Sequence, residues 1–309
     1  MFVSTQGPDS IEVEEDGILL PAEKLKIVCV KPRRPDGSGE EWDQTFDAAN
    51  NMVYAAGLKI PHLAIEPLKT GRAIIVGGGP SVEGELENIR KFAEDKNNQV
   101  FALNWAHTWL IQHGIIPNAC TFFEIDVDPC KIMENAHPDV TYYICSHCHR
   151  QTFDGLEGYK RVLWHTTPNS DVEAEMFEKY YRNEVRVGGG ISTFLRTISV
   201  CLALGYRTFE LFGIDSSFPD DAKTTHVGGY PTIVSVDVDA VYVHARDEKS
   251  GVVRRFKTVS YLAHQVEEFK KYCELNHPLF RMRVHGDTLL AFVHKCMWAH
   301  QYEDTNAAA

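Results

Sequence analysis

Residues 73–86 read AIIVGGGPSVEGEL, an apolar run that leads into three glycines, a proline and a serine. The apolar run predicts a buried strand, and the polar stretch after the serine predicts a helix. Glycines let a backbone approach an anion closely, and a helix N-terminus offers N–H groups and a positive dipole end. This order of elements predicts a phosphate-binding turn or, as the alternative, a tight turn without a ligand. The residues of this first glycine turn are Gly77, Gly78, Gly79, Pro80 and Ser81.

Two common nucleotide motifs do not fit the first glycine turn. Pro80 and Ser81 stand where a dinucleotide G-x-G-x-x-G motif needs spacers and a third glycine. No Gly-Lys-Ser or Gly-Lys-Thr follows, so the turn is not a P-loop. We expect Ser81 either to cap the following helix or to donate a hydrogen bond to a phosphate.

A second glycine turn, residues 188–190, lies in the segment RVGGGIS (186–192), where a strand again leads into glycines and a helix. Ligands of open α/β folds bind at the carboxyl edge of the parallel sheet. We expect the two turns to face each other there and to hold one nucleotide. The nucleotide-binding residues predicted at the second turn are Gly189, Gly190, Ser192 and Thr193.

Strand and helix patterns alternate from residue 72 to Asp215, which predicts an α/β fold. We expect a Rossmann-like, mostly parallel sheet with helices on both faces, followed by a turn-rich loop and a C-terminal β-hairpin and helices. The hairpin pairs residues 234–246 with 252–259, residues 1–24 are irregular, and 26–30 form a strand. The predicted domains are an N-terminal extension, partly irregular, over 1–70, a nucleotide-binding domain over 71–231, a C-terminal hairpin–helix–strand–helix region packed on it over 232–303, and a disordered tail over 304–309.

Composition and charge exclude several classes of function. The chain has 309 residues and a formal net charge of −12, whereas a protein that grips nucleic-acid phosphates normally carries a basic balance. No apolar run approaches the ~20 residues that span a bilayer, and the acidic start has no secretory signal pattern. We therefore expect a cytoplasmic protein with a small-molecule nucleotide substrate and no membrane span. The sequence is compatible with a homo-oligomer.

Polar residues at predicted strand ends and in the long loop supply the candidate chemistry. Asn104 ends a predicted strand, where its amide reads a nucleobase or ribose edge or, as the alternative, caps the next helix. Asp215 ends the strand after the second glycine turn, and His226 lies in the following loop. An imidazole with a pKa near neutrality can take a proton from an acceptor hydroxyl. His226 and Asp215 are the predicted catalytic residues; the alternatives are a solvated loop side chain and a strand-end anchor, respectively.

Three acids at the end of another predicted strand form a candidate metal site: Glu124, Asp126 and Asp128. Alternate residues of a strand point to one side of a sheet. Carboxylates gathered in this way can hold a Mg²⁺ or Mn²⁺ ion that neutralises a diphosphate. The alternative is a set of exposed turn acids.

The order of these segments resembles that of the MptE-like family. The segments are IIVGGGPSVEGEL, FALNWAHTWLIQHGIIPNACTFFEID, GGGISTFLRTISVCLALGYRTFELFGID and a loop with TTH, which together cover roughly residues 70–231. The family includes 6-hydroxymethylpterin pyrophosphokinases and the motility accessory factor proteins that glycosylate flagellin. The chain is also similar to bacterial sialyltransferases that use CMP-sialic acid.

The resemblance implies roles for individual residues. Gly77, Gly79 and Ser81 would contact the phosphate or ribose of the nucleotide, and Asn104 would read the nucleotide. His226 would be the catalytic base, as in the sialyltransferases. The second turn would close over the nucleotide or donor through Gly190, Ser192 and Thr193.

Two features depart from the sialyltransferase pattern. The loop over 216–225 has no clear counterpart of the tyrosine pair that binds phosphate in the sialyltransferases, and one strand end differs. The sialyltransferases have Asn-Pro where this chain has Glu124-Ile-Asp126. These acids agree better with the MptE-like group, in which strand-end aspartates could hold Mg²⁺.

The predicted function is nucleotide-dependent group transfer. We favour a glycosyltransferase that moves a sugar from a nucleotide-sugar donor, CMP- or another NDP-sugar, to a hydroxyl acceptor. One alternative is a pyrophosphokinase of the 6-hydroxymethylpterin type that uses ATP and Mg²⁺. A non-catalytic nucleotide-binding protein is the other alternative.

Overall fold

The computed structural model divides the chain into two units. The first contains Met1–Val28, Thr70–Asn98 and Arg207–Ala309, and the second contains Cys29–Lys69 and Gln99–Tyr206. Parts of the segment 71–231 therefore belong to both units. The structure describes residues 11–15, 18–21, 44–125, 135–190, 192–222, 224–227, 240–247, 249–276 and 279–303.

The first unit contains a parallel set of strands and an antiparallel sheet. Its parallel strands follow the order β12-β9-β3, and its antiparallel sheet follows the order β11-β10-β1-β2. A 3-10 helix at Pro80–Glu85 leads into the first α-helix after the glycine turn. The elements are β1 (Ile11–Glu15), β2 (Ile18–Pro21), β3 (Ala73–Val76), α2 (Leu86–Glu94), β9 (Thr208–Phe212), β10 (Ala240–Arg246), β11 (Val253–Val259), α7 (Ser260–Asn276), β12 (Arg281–Val284), α8 (Leu289–Met297) and α9 (His300–Glu303).

The second unit contains five parallel strands in the order β4-β5-β6-β7-β8. Helices alternate with these strands along the chain, as expected for parallel pairs, which need crossover connections. The elements are α1 (Gln44–Ala56), β4 (Gln99–Leu103), α3 (Ala106–Gln112), β5 (Ala119–Phe122), β6 (Thr141–Cys145), α4 (Arg150–Gly155), β7 (Lys160–Thr166), α5 (Asp171–Tyr180), β8 (Arg186–Val187) and α6 (Thr193–Ala203).

The predicted fold class is confirmed: the chain has an α/β, Rossmann-like fold with mostly parallel strands, helices and a C-terminal hairpin. The four residues of β3 are all buried, in keeping with the continuous apolar pattern of parallel strands that are covered on both faces. The hairpin pairs β10 with β11 from Ala240↔Val259 to Arg246↔Val253. Residues 234–239 of the predicted hairpin lie outside the described residues.

The N-terminal segment differs from the irregular structure expected for residues 1–24. It forms β1 and β2, and β1 pairs with β10 from Ile11↔Ala245 to Glu14↔Tyr242. The sequence of β1, IEVEE, does begin with the apolar and polar alternation of a strand. Its partner, however, is more than two hundred residues away in the sequence. The strand predicted over 26–30 and the tail over 304–309 lie outside the described residues.

The sequence predicts that the chain has no membrane-spanning segment. In the part of the chain that the structure describes, no helix is both long and apolar enough to cross a membrane.

Candidate functional site

The first glycine turn packs against the carboxyl end of β9. The N–H of Gly77 donates to the carbonyl of Phe212 at 2.8 Å, and the N–H of Gly79 donates to that of Gly213 at 2.8 Å. A Cβ at Gly77 would lie 2.6 Å from the Gly213 carbonyl oxygen, and one at Gly79 would lie 2.6 Å from Cγ of Asp215. These glycines are therefore required by the close approach of two backbones and a carboxylate, whether or not a ligand binds.

Ser81 and Asp215 hold the turn in place. Oδ2 of Asp215 accepts from the Ser81 N–H at 2.8 Å, and Oδ1 accepts from the Ser81 hydroxyl at 2.5 Å. Asp215 is 5% exposed. Burial raises its pKa to about 6, against the opposing effect of the two hydrogen bonds from Ser81. The N-cap residue of the 3-10 helix is Gly79, and the Ser81 hydroxyl is used to bind Asp215.

The N–H groups of the first turn are largely used within the protein. Those of Gly77, Gly79 and Ser81 donate to Phe212, Gly213 and Asp215 as described, and Pro80 has none. The N–H of Gly78 has no acceptor among the described residues. Gly78 is therefore the point of this turn at which a phosphate oxygen would find a donor.

His226 lies against Gly78. A Cβ at Gly78 would lie 3.2 Å from Cδ2 of the His226 ring, and the N–H of the following Val227 donates to the Gly78 carbonyl at 2.8 Å. Nδ1 of the ring hydrogen-bonds to Oγ1 of Thr225 at 2.8 Å. Burial lowers the pKa of His226, which favours the neutral imidazole, the form that accepts a proton.

The end of β12 supports the turn from another direction, and the sequence pattern did not indicate this contact. Gly286 has φ +93°, and a Cβ there would lie 2.8 Å from Oγ of Ser81. The next residue, Asp287, accepts two hydrogen bonds from Arg254 of β11, at 2.5 and 3.0 Å. Gly286, two residues after the end of β12, was the available sequence signal of a close approach.

The second glycine turn belongs to the second unit and has a different geometry. Gly189 and Gly190 have φ values of +136° and +63°, in the region that favours glycine. A Cβ at Gly189 would also lie 2.7 Å from the backbone nitrogen of Arg196. Ser192 is the N-cap residue of α6, but its hydroxyl makes no capping bond and has no partner among the described residues, although the residue is only 9% exposed. Thr193 is the first residue of α6.

Arg196 anchors the second turn, and the sequence pattern did not single it out. Its Nε donates to the Gly190 carbonyl at 2.7 Å, and its Nη1 donates to Oγ1 of Thr166 at the end of β7. Its guanidinium lies 3.8 Å from the centroid of the Phe123 ring, just after β5. The residue is 5% exposed. An arginine within the apolar run of a buried helix was the available signal, since buried arginines are rare unless they are paired.

Asn104 and Glu124 meet at the ends of β4 and β5. Asn104 has φ +44°, a left-handed conformation that asparagine tolerates better than most residues. Its Nδ2 donates to Oε1 of Glu124 at 2.6 Å, whereas its Oδ1 is buried and has no partner among the described residues. The N-cap position of α3 belongs to Trp105. The amide of Asn104 therefore offers an acceptor, and one of its two N–H donors is occupied by Glu124.

The predicted metal site is described only in part. Asp126 and Asp128 lie outside the described residues. Within the described ranges, no group of three or more His, Cys, Asp or Glu side chains is placed to hold a metal ion. Glu124, which is described, accepts from Asn104.

The structure brings several predicted site residues together within each unit. The first turn, Asp215 and His226 form one cluster in the first unit, and Asn104 contacts Glu124 in the second. Ser192 and Thr193 follow the second turn, which Arg196 holds. A single site formed by both turns stays a prediction.

The chain is similar in fold to a solved structure of the MAf glycosyltransferase from Magnetospirillum magneticum AMB-1. The TM-score is 0.57 and the sequence identity is 14%, over 84% of this chain and 42% of that chain. This chain thus corresponds to less than half of that protein's length. No curated protein matches it. The family model for 6-hydroxymethylpterin diphosphokinase MptE-like proteins matches residues 49–221, more than half of the sequence, and the chain therefore belongs to the MptE-like family.

Proposed function

We propose that the chain is a nucleotide-dependent transferase that moves a sugar from a nucleotide-sugar donor to a hydroxyl acceptor, with His226 as general base. The observation that carries the proposal is the position of the His226 ring beside Gly78, where an added Cβ would lie 3.2 Å from Cδ2 of the ring. Gly78 is the residue of the first turn whose N–H has no acceptor among the described residues. A base and a phosphate-binding donor thereby lie next to each other. Membership of the MptE-like family supports transferase chemistry.

The proposed reaction uses the neutral imidazole of His226. Its unprotonated nitrogen takes the proton of the acceptor hydroxyl as the oxygen attacks the anomeric carbon of the donor sugar. The bond between that carbon and the phosphate oxygen breaks, and the nucleotide leaves with the electron pair. The N–H of Gly78 donates to the leaving phosphate, where negative charge develops.

Asp215 acts in this proposal as a positioning residue. Both of its oxygens accept from Ser81, and a Cβ at Gly79 would overlap its carboxyl group. The carboxylate therefore fixes the shape of the first turn and does not need to touch the substrate.

In the second unit, we assign nucleotide recognition to Asn104 and to the second turn with Ser192 and Thr193. The buried Oδ1 of Asn104, which has no partner among the described residues, offers an acceptor to an N–H or O–H group of the nucleotide, and Glu124 accepts from one of the two amide N–H groups. The hydroxyl of Ser192 at the start of α6 has no partner among the described residues and offers a donor to a phosphate or ribose oxygen.

The second candidate function is transfer of a diphosphate from ATP to a hydroxymethyl group, and the description of the matching family favours it. His226 would serve equally well, because this reaction also begins with removal of a hydroxyl proton. The oxygen would then attack the β-phosphorus of ATP, and AMP would leave. Glu124, Asp126 and Asp128 are the residues that we would assign to the accompanying Mg²⁺.

A binding screen followed by product analysis tests the proposal. The full chain is melted with CMP, UDP, GDP, ADP and ATP, each with and without Mg²⁺; a ligand at about 100 times its Kd adds about 2.7 kcal/mol to the stability. Sugar donors of the stabilising nucleotides, and ATP with Mg²⁺, are then incubated with the chain. Release of the nucleotide from a sugar donor supports glycosyl transfer, and release of AMP from ATP supports the second candidate. Binding without turnover of either donor class contradicts both.

A further inference from the structure

The geometry points to a binding site for a compact oxyanion with two or more negative charges, in a cavity at the amino ends of β3, β9 and β12. The cavity has a volume of about 210 Å³, and the residues that line it include Arg72, Arg281 and Arg283. All of these residues belong to the first unit. The site goes beyond the proposed function, because it lies at the opposite end of the strands from the first glycine turn.

The register of the strands brings the three arginines to one face of the sheet. Arg281 is paired with Thr208 of β9, and Arg283 is paired with Glu210. On the other side of β9, the register of β3 places Arg72 level with Thr208. Residues that are paired across neighbouring strands, or that lie two apart on one strand, share a face of the sheet. The three guanidinium groups are therefore directed to the same side of the sheet.

The cavity carries an excess of positive charge. Among the described residues that line it, Glu210 supplies the one carboxylate, so three guanidinium groups and one carboxylate give a net charge of +2. Both oxygens of Glu210 have partners: Oε1 accepts from Nη1 of Arg72, and Oε2 hydrogen-bonds to Nε2 of His285 at 2.7 Å. The whole chain has a formal net charge of −12. A cleft lined by charges of one sign concentrates ions of the opposite sign, and here those ions are anions.

The side chains that line the cavity suit an oxyanion and are held in place by α9. A guanidinium group has five N–H donors in a fork that matches the oxygens of phosphates and carboxylates, so it can contact a ligand while it bonds within the protein. Nε of Arg283 donates to the carbonyl of Gln301 at 3.2 Å, and the Gln301 side chain accepts from the N–H of Met282 at 2.7 Å. These two bonds fix α9 beside the arginines of β12.

The size and the position of the cavity separate it from a nucleotide site. Its volume is below the roughly 300–1,000 Å³ that is typical of pockets for drug-sized ligands, which favours a compact anion over a nucleotide. Arg72 precedes Gly77 of the first glycine turn by five residues, which is about 16 Å along an extended strand. Inorganic phosphate, pyrophosphate and citrate are compact anions of the expected charge.

The test is a calorimetric titration of the full chain with these three anions and with acetate, which carries a single charge, at one ionic strength. We expect saturable binding of at least one of the three, weaker binding of acetate, and an affinity that falls as NaCl is added, because salt screens the attraction. Arg281→Gln and Arg283→Gln should each lower the affinity about tenfold, as expected for the loss of a charged hydrogen-bond donor.

Arg182→Gln is the matched control. It removes the same charge from an exposed arginine of the second unit, whose Nε lies 2.8 Å from Glu178, and it should leave the affinity for the anion unchanged. Because Arg281 is exposed, Arg281→Gln supplies a variant even if Arg283→Gln, which loses its bond to Gln301, does not fold.

Three results would overturn the inference. One is the absence of saturable binding of all three multiply charged anions, and another is acetate binding of equal strength. The third is an affinity that the two cavity variants leave unchanged, or that Arg182→Gln lowers by as much; an anion bound at the first glycine turn would give an unchanged affinity. Nucleotide affinity should be the same in Arg281→Gln as in the wild type. If no nucleotide binds, the proposed function fails while the anion titration still stands.

Discussion

The two glycine turns have nearly the same sequence, GGGPS and GGGIS, but their glycines meet different physical requirements. In the first turn, Gly79 has φ −65°, which any residue can adopt, and is needed because a Cβ would meet Asp215. In the second, Gly189 and Gly190 have the positive φ values that favour glycine. A glycine run therefore indicates either that the backbone approaches its neighbours closely or that it adopts a positive φ. Neither requirement identifies a ligand.

The polar groups around the turns are more informative than the glycines. Asp215 already binds the N–H and the hydroxyl of Ser81 in the first turn, which leaves the N–H of Gly78 beside His226. After the second turn, it is the hydroxyl of Ser192 that has no partner among the described residues. On the proposed function, the first turn contributes to the chemical step and the second to nucleotide binding. The predictions for His226→Gln and Ser192→Ala test this division, and the others test the geometry of each turn.

The largest effect is expected for His226→Gln. Removal of the general base should lower turnover of the donor about a hundredfold or more, because a positioned base typically contributes that much. Nucleotide affinity should stay near the wild-type value, since the base acts on the acceptor proton. Steady-state kinetics and a binding titration on the same preparation measure both quantities. A variant with wild-type turnover would remove His226 from the mechanism.

A large effect on stability is expected for Gly189→Ala in the second turn. Alanine is strained at φ +136°, and its Cβ would overlap the backbone of Arg196, so the free energy of unfolding should fall by about 3 kcal/mol. Gly188→Ala is the control, because a Cβ there meets nothing within 4 Å. Its unfolding free energy should change by less than ~1 kcal/mol. Urea denaturation compares the two, and equal losses would contradict the assigned geometry.

Asp215→Asn should change how stability depends on pH. Burial raises the pKa of Asp215 from 3.8 to about 6, so the folded chain binds this proton more tightly than the unfolded chain. The resulting stabilisation is complete below about pH 4 and is lost as the pH rises through about 6, a change of about 3 kcal/mol or less. The stability advantage of the wild type over Asp215→Asn should shrink across this range. Urea denaturation at a series of pH values measures this stability difference. A difference that does not change with pH would show that the pKa of Asp215 is not raised.

Strands of the parallel set could be predicted from the sequence where a local apolar run encodes them. The run AIIV, for example, is buried along its whole length as β3. Long-range contacts could not be predicted in this way. Ser81 binds a carboxylate 134 residues later in the sequence, and the segment expected to form a helix begins as a 3-10 helix. The early strand β1 pairs with β10, which lies more than two hundred residues later in the sequence.

The candidate site shows the same limit. The pattern indicated Asn104 as a polar residue at a strand end, but its left-handed backbone and its contact with Glu124 depend on how β4 and β5 align. The pattern did not single out Arg196, because its contacts come from distant parts of the sequence: Thr166 at the end of β7 and Phe123 just after β5. The sequence could indicate which polar residues lie at strand ends. The hydrogen-bond partners of those residues could not be predicted, because they depend on the fold.

The smallest effect on stability is expected for Ser192→Ala, and its counterpart in the first turn is Ser81→Ala. The hydroxyl of Ser81 binds a buried carboxylate, and its loss should lower the unfolding free energy by about 2 kcal/mol. The hydroxyl of Ser192 is buried without a partner among the described residues, so its removal should leave the stability within ~0.5 kcal/mol of the wild type or raise it. If the second turn binds the nucleotide, Ser192→Ala should still weaken binding about tenfold. Urea denaturation and a nucleotide titration on both variants distinguish a hydroxyl that stabilises the fold from one that binds a ligand. An equal loss of stability in the two variants would contradict the different roles assigned to Ser81 and Ser192.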